Sequence, residues 1–116
     1  MKPHWTNFVR GKPRVRGTMN KTEAAYAQHL EGQKLLGAVE WFLFEGATLR
    51  LGQDARYTPD FIVMRAGYLE MHEVKGFWAE AAKVRIRVAA SMFPFRFVAV
   101  KKLAKKNGGG WEETEF

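Results

Sequence analysis

Apolar and polar residues follow two different periods along this chain. Over residues 20–36 the pattern is helical. Tyr26 and Leu30 form an i, i+4 apolar pair, and Asn20 is a good N-cap with Glu23 three positions on, a capping-box pattern. Gly37 is a natural stop. Residues 39–51 favour strand through Trp41, Phe42, Phe44 and Leu49, with Gly46 allowing a bend, and residues 53–56 read as a polar connection. Phe61–Arg65 and Tyr68–Lys75 are two strand-like runs separated by Ala66-Gly67. Residues 78–92 return to the helical period, with Trp78, Ala82, Ile86, Ala89 and Phe93 on one stripe and Pro94 as the stop. Residues 95–100 (Phe95, Phe97, Val98, Val100) predict a buried strand beside the hairpin, reached by a crossover if the two strands are parallel. The predicted order is α-β-β-β-α-β, an α/β fold with a mixed β-sheet flanked by helices.

The hairpin register carries chemical meaning. If Ala66-Gly67 is a two-residue loop, Arg65 pairs with Tyr68, and Asp60 falls opposite Glu73. Directly opposed residues on one face have Cβ atoms about 5 Å apart. Side chains alternate along a strand, so Lys75 projects from the same face as Glu73. Two opposed carboxylates repel, and a sheet gains nothing from such a pair. Around a divalent cation the arrangement makes sense: Mg²⁺ takes hard oxygen ligands, usually one or two carboxylates, and leaves other positions to water and substrate phosphate. Lys75 would assist the attacking water and offset charge developing on the phosphate. The reaction class that uses these parts is phosphodiester hydrolysis. Simpler readings exist beside this one. An acid after proline caps turns, charges decorate exposed strand edges, and Glu23 can serve its helix cap alone.

Charge points the same way. In 116 residues, 19 Lys and Arg stand against 12 Asp and Glu, a formal net charge of +7. Such an excess suits a polyanionic partner, most often nucleic acid. Residues 1–17 carry Lys2, Arg10, Lys12, Arg14 and Arg16 without an acid, and Pro and Gly interrupt any periodicity. They read as a basic arm, either a solvated tail or a grip on phosphates. Lys83 and Arg87 lie i, i+4 on one helical face with Arg85 nearby, and Lys101, Lys102, Lys105 and Lys106 form a second cluster. Contacts of this kind position DNA without reading its sequence.

The strings Tyr57-Thr58-Pro59-Asp60-Phe61 and Glu73-Val74-Lys75-Gly76-Phe77-Trp78 resemble the PD-(D/E)xK nuclease signature. More specifically, they resemble phage endonuclease I-type Holliday-junction resolvases and small phage nucleases of that superfamily. The resemblance covers about residues 20–101. It implies a restriction-endonuclease-like core, Mg²⁺ or Mn²⁺ as cofactor, and cleavage of DNA, branched DNA first. It implies Asp60, Glu73 and the Val74 backbone carbonyl as metal ligands, Lys75 as the catalytic group that assists the attacking water, and Glu23 as the acid on the first helix. The chain is shorter than well-known resolvases and lacks their additional C-terminal elements. A homodimer would match a symmetric branch, since a two-fold protein presents two equivalent sites. The alternative is a non-catalytic basic DNA-binding module.

Other chemistries find no residues. The sequence has no cysteine, which excludes disulfides, thiolate metal sites and a cysteine nucleophile. His4, His29 and His72 lack ligand spacing, with His72 expected as a structural residue on the face opposite Glu73 and Glu70 beside it facing solvent or a helix. Ser91 is the single serine. No apolar run approaches the roughly 20 residues of a membrane span, and no signal-peptide core precedes Gly17. The expectation is a soluble cytoplasmic protein, in the host cell if phage-encoded, divided into an arm (1–17), a nuclease domain (18–107) and a flexible tail (108–116). The tail, glycines followed by an acidic-aromatic segment, would cover a sheet edge or a neighbour's surface.

Overall fold

The computed structural model describes residues 17–75 and 78–116. The first helix, α1 (Lys21–Leu35), opens with the complete capping box: Asn20 Oδ1 accepts from the Glu23 amide at 2.8 Å, and Glu23 Oε1 accepts from the Asn20 amide at 3.0 Å. Positions 23, 26 and 30 recur on one side of a 3.6-residue helix. That stripe faces the sheet and buries Glu23, Tyr26 and Leu30. Glu23 therefore enters the interior by helical geometry, although a capping glutamate alone needs no burial.

Five strands form the main sheet: β1 (Trp41–Phe44), β4 (Phe61–Arg65), β5 (Tyr68–Lys75), β6 (Arg96–Lys102) and β7 (Trp111–Glu115), side by side in the order β1-β4-β5-β6-β7. All neighbours are antiparallel except β5 and β6, which are parallel and joined through α2 (Glu80–Met92). The shorter β2 (Leu49–Arg50) and β3 (Arg56–Tyr57) pair as a separate antiparallel ribbon. Two apolar layers result. Tyr26 and Leu30 of α1 pack with Phe61, Val63, Val74, Val98 and Val100 on one face. Ile86 and Ala89 of α2 pack with Ile62, Met71, Phe97 and the ribbon's Leu49 and Tyr57 on the other. The mixed sheet flanked by helices is thus present, as is the parallel crossover.

The element order is corrected to α-β-β-β-β-β-α-β-β. The predicted single strand over 39–51 ends at Phe44, where Glu45 adopts φ 49° and Gly46 lies so close to Leu43 that a Cβ would meet Leu43 Cδ2 at 2.7 Å. The left-handed residue takes the chain out of the ladder, and the glycine after it leaves room for the Leu43 side chain. β2 and β3 span two residues each, too few to carry a period. β7 reads Trp-Glu-Glu-Thr-Glu, and as an edge strand with four exposed residues it shows no apolar alternation. Among the described residues, no helix is long and apolar enough to cross a membrane.

The turn between β4 and β5 takes the form that the two-residue loop requires. Ala66 and Gly67 have φ of 40° and 86°, both positive as in a type I′ turn. Arg65 pairs with Tyr68 and Phe61 with His72, so the register continues to Asp60 and Glu73 just beyond the last ladder pair.

Candidate functional site

Asp60 lies at the entrance to β4 and is buried. Buried Pro59 precedes it, and its own carbonyl accepts from the Glu45 amide at 2.8 Å, holding the backbone against the turn after β1. Its Oδ2 accepts a hydrogen bond from the Val74 amide at 2.8 Å. Glu73 is also buried: Oε1 accepts from the Tyr57 hydroxyl at 2.8 Å, and Oε2 lies 3.2 Å from Lys75 Nζ. Lys75 keeps 39% of its side chain exposed, so a cation reaches from solvent to the buried acid. Two strand ends thus bring Asp60, Glu73 and Lys75 together, and β3 adds Tyr57 from outside the main sheet.

The electrostatics follow from burial. Loss of water and then the negative charge of Glu73 push the Asp60 carboxyl up to about 7; Glu23 adds to this, while the Val74 amide and Lys75 only partly oppose it. Burial, then Glu73, likewise raise the Tyr57 hydroxyl, so it stays protonated and remains a donor; Arg85 of α2 supplies the opposing charge. Sequence reasoning assigned no role to Tyr57. Its signal was available as a lone aromatic in a polar stretch, three residues before Asp60. The charge of Glu23 acts on Asp60, while Glu23 Oε1 serves the helix cap. Among the described residues no three acids or imidazoles converge as a ready-made metal cage, so the oxygen donors present are a two-carboxylate pair.

The remaining candidates separate. Lys12, Arg14 and Arg16 lie outside the described residues. Lys83, Arg87 and Lys101 come together around a cleft of about 400 Å³ on the α2 side of the sheet. Lys101 pairs in register with Lys75. Alternation turns Lys102 to the opposite face, so it does not join them.

The opposite face holds a second polar group. His72 is fully buried, with Nδ1 2.6 Å from the Tyr26 hydroxyl and Nε2 2.7 Å from Glu70 Oε1. Glu70 Oε2 accepts from Arg96 at 2.8 Å, and Arg65 Nε lies 3.0 Å from Oε1, paired by charge without an aligned hydrogen bond. Burial alone would raise Glu70, but His72, Arg65 and Arg96 outweigh it and hold the carboxyl below its ordinary range. His72 is thus the structural residue expected, and Glu70 lies beneath two arginines rather than in solvent. The chain was compared with protein-family models and with curated proteins, and neither comparison finds a match.

Proposed function

We propose that this chain is a metal-dependent DNA endonuclease that hydrolyses phosphodiester bonds, with branched DNA as its first substrate class, as in Holliday-junction resolvases of the PD-(D/E)xK superfamily. The observation that carries the reading is the buried pair Asp60 and Glu73 at one hairpin end, with Lys75 against it. Two buried like charges facing each other cost stability, and a cation between them would remove that cost. A sheet packed between two helices, with acids at the end of its central hairpin, supports a restriction-endonuclease-like core.

The donor set fits Mg²⁺ or Mn²⁺, since it offers hard carboxylate oxygens without thiol or imidazole. Asp60 and Glu73 would hold the ion, with the Val74 carbonyl as a further oxygen donor, while Glu23, engaged in its helix cap, would add negative charge nearby. When bound, the ion supplies Lewis-acid charge to the phosphate. Tyr57 keeps the Glu73 carboxylate oriented through its hydrogen bond. Lys75 faces the same site from solvent, where its ammonium would orient the attacking water and offset charge developing on the phosphate. Lys83, Arg87 and Lys101, with Lys12, Arg14 and Arg16 of the arm, would hold the DNA backbone. A homodimer would present two such sites to a symmetric branch.

The test is incubation with a four-way junction, a flapped duplex and a linear duplex, in Mg²⁺ or EDTA, beside Asp60→Asn. Asparagine retains an oxygen that can accept from the Val74 amide, so the fold is preserved while the charge is lost. Expected is cleavage in Mg²⁺ alone, absent in the variant, with DNA binding retained. Wild-type cleavage rates in Asp60→Asn would overturn the mechanism. Salt-sensitive binding without cleavage under any condition would favour the non-catalytic module.

A further inference from the structure

The cleft beside the acidic pair has a composition of its own. Trp78 and Phe116 form its aromatic side, in edge-on contact at 6.4 Å between ring centroids. Lys83, Arg87 and Lys101 form its basic side, with the Arg87 guanidinium 5.8 Å from the centre of the Phe116 ring. Lys83 lies 3.4 Å from the exposed carboxylate of Glu80. Its floor is the sheet: Ala99 and Lys101 line it and pair in register with Glu73 and Lys75. Neighbouring strands lie about 4.8 Å apart, so the cleft begins one strand away from the proposed cleavage site, on the same face. A volume of about 400 Å³ lies within the range of small-ligand sites.

Aromatic faces beside lysines and an arginine suit one kind of ligand particularly well. A paired base inside a duplex has both faces stacked and cannot use Trp78 or Phe116. An unpaired nucleotide offers a free base face and a phosphate, which is how proteins hold single strands without reading sequence. Glu112 and Thr114, on the β7 side, add polar atoms for a base edge. We infer that this cleft binds an unpaired nucleotide of the DNA strand, its base against Trp78 and Phe116 and its phosphate on Lys83 and Lys101. The inference rests on the reading that the substrate is DNA. It would base a preference for flapped DNA, and for branches that open a base pair, on an unpaired nucleotide next to the cut.

Fluorescence anisotropy in EDTA tests it without cleavage, using a labelled oligothymidine of about ten nucleotides and a blunt duplex. The intact chain should prefer the single strand. Trp78→Ala should weaken single-strand binding about tenfold or more and move the single-strand-to-duplex affinity ratio towards one, while Trp78→Phe should stay within about threefold of wild type. If a melting curve shows that Trp78→Ala is unfolded, the double variant Lys83→Gln with Lys101→Gln serves instead, with a comparable loss expected. Equal affinity for both DNAs, or wild-type single-strand binding in a folded Trp78→Ala or in the lysine variant, would overturn the inference. The two readings fail separately. Single-strand preference without Mg²⁺-dependent cleavage would remove the nuclease and keep the cleft, and cleavage without that preference would do the reverse.

Discussion

The backbone amide of Val74 donates to Asp60 Oδ2 across 2.8 Å. The acid that opens one strand is thereby fastened to the residue between Glu73 and Lys75 on the next. This hydrogen bond holds the Asp60 carboxylate against the strand that carries Glu73 and Lys75, whose own spacing follows from alternation along β5.

The burial of that pair makes stability depend on pH. Asp60 titrates near 3.8 when exposed and at about 7 in the fold, because burial and then Glu73 disfavour its anion. Between these values the native state binds more protons than the unfolded chain, so in EDTA stability falls as pH rises from about 4 to about 7. Denaturant midpoints across this window should show a shallower slope in Asp60→Asn than in wild type. Identical slopes would contradict the assignment.

Tyr57→Phe removes the donor to Glu73 Oε1 without changing the shape of the ring. A buried hydrogen bond to a charged group contributes about 2 kcal/mol, and urea unfolding should show a loss of that order. Cleavage in Mg²⁺ should fall while DNA affinity holds, since Glu73 loses its orientation and no basic residue is touched. An unchanged unfolding midpoint would show that the bond contributes nothing.

Glu70→Ala should be among the more costly single substitutions, about 3 kcal/mol, because it leaves His72, Arg65 and Arg96 around a lost negative charge. Glu70→Gln should recover part of this by keeping an acceptor for the Arg96 guanidinium. Thermal unfolding of the two variants gives the comparison. Equal and small losses would mean that the arginines find solvent instead.

Ala66→Asn should stabilise the protein by about 0.5–1 kcal/mol. Ala66 sits at φ 40°, a conformation that strains an ordinary side chain and that Asn tolerates in Asn-Gly type I′ turns. Chemical denaturation measures the gain. A destabilised variant would argue against this turn, and with it the register that brings Asp60 opposite Glu73.

Much of the site was legible because its parts are local. A capping box is written in four residues, and a two-residue loop with strand alternation determines which residues oppose each other. Asn20 with Glu23, and Asp60 opposite Glu73 with Lys75 on the same face, therefore followed from the sequence alone. So did the basic excess, with its implication of a polyanion. Tertiary structure alone decided the rest. Tyr57 reaches Glu73 from a two-residue strand that no pattern announces. Glu70 is buried because β6 brings Arg96 beside it. Lys101 meets Lys83 and Arg87 because α2 returns the chain parallel to β5, which places residues far apart in sequence on one face. The segment 111–115 becomes an edge strand through its backbone pairing with β6, and backbone hydrogen bonds carry no side-chain signature. Period and turn chemistry act over a few residues; packing across a crossover depends on where the helix between the strands comes to rest.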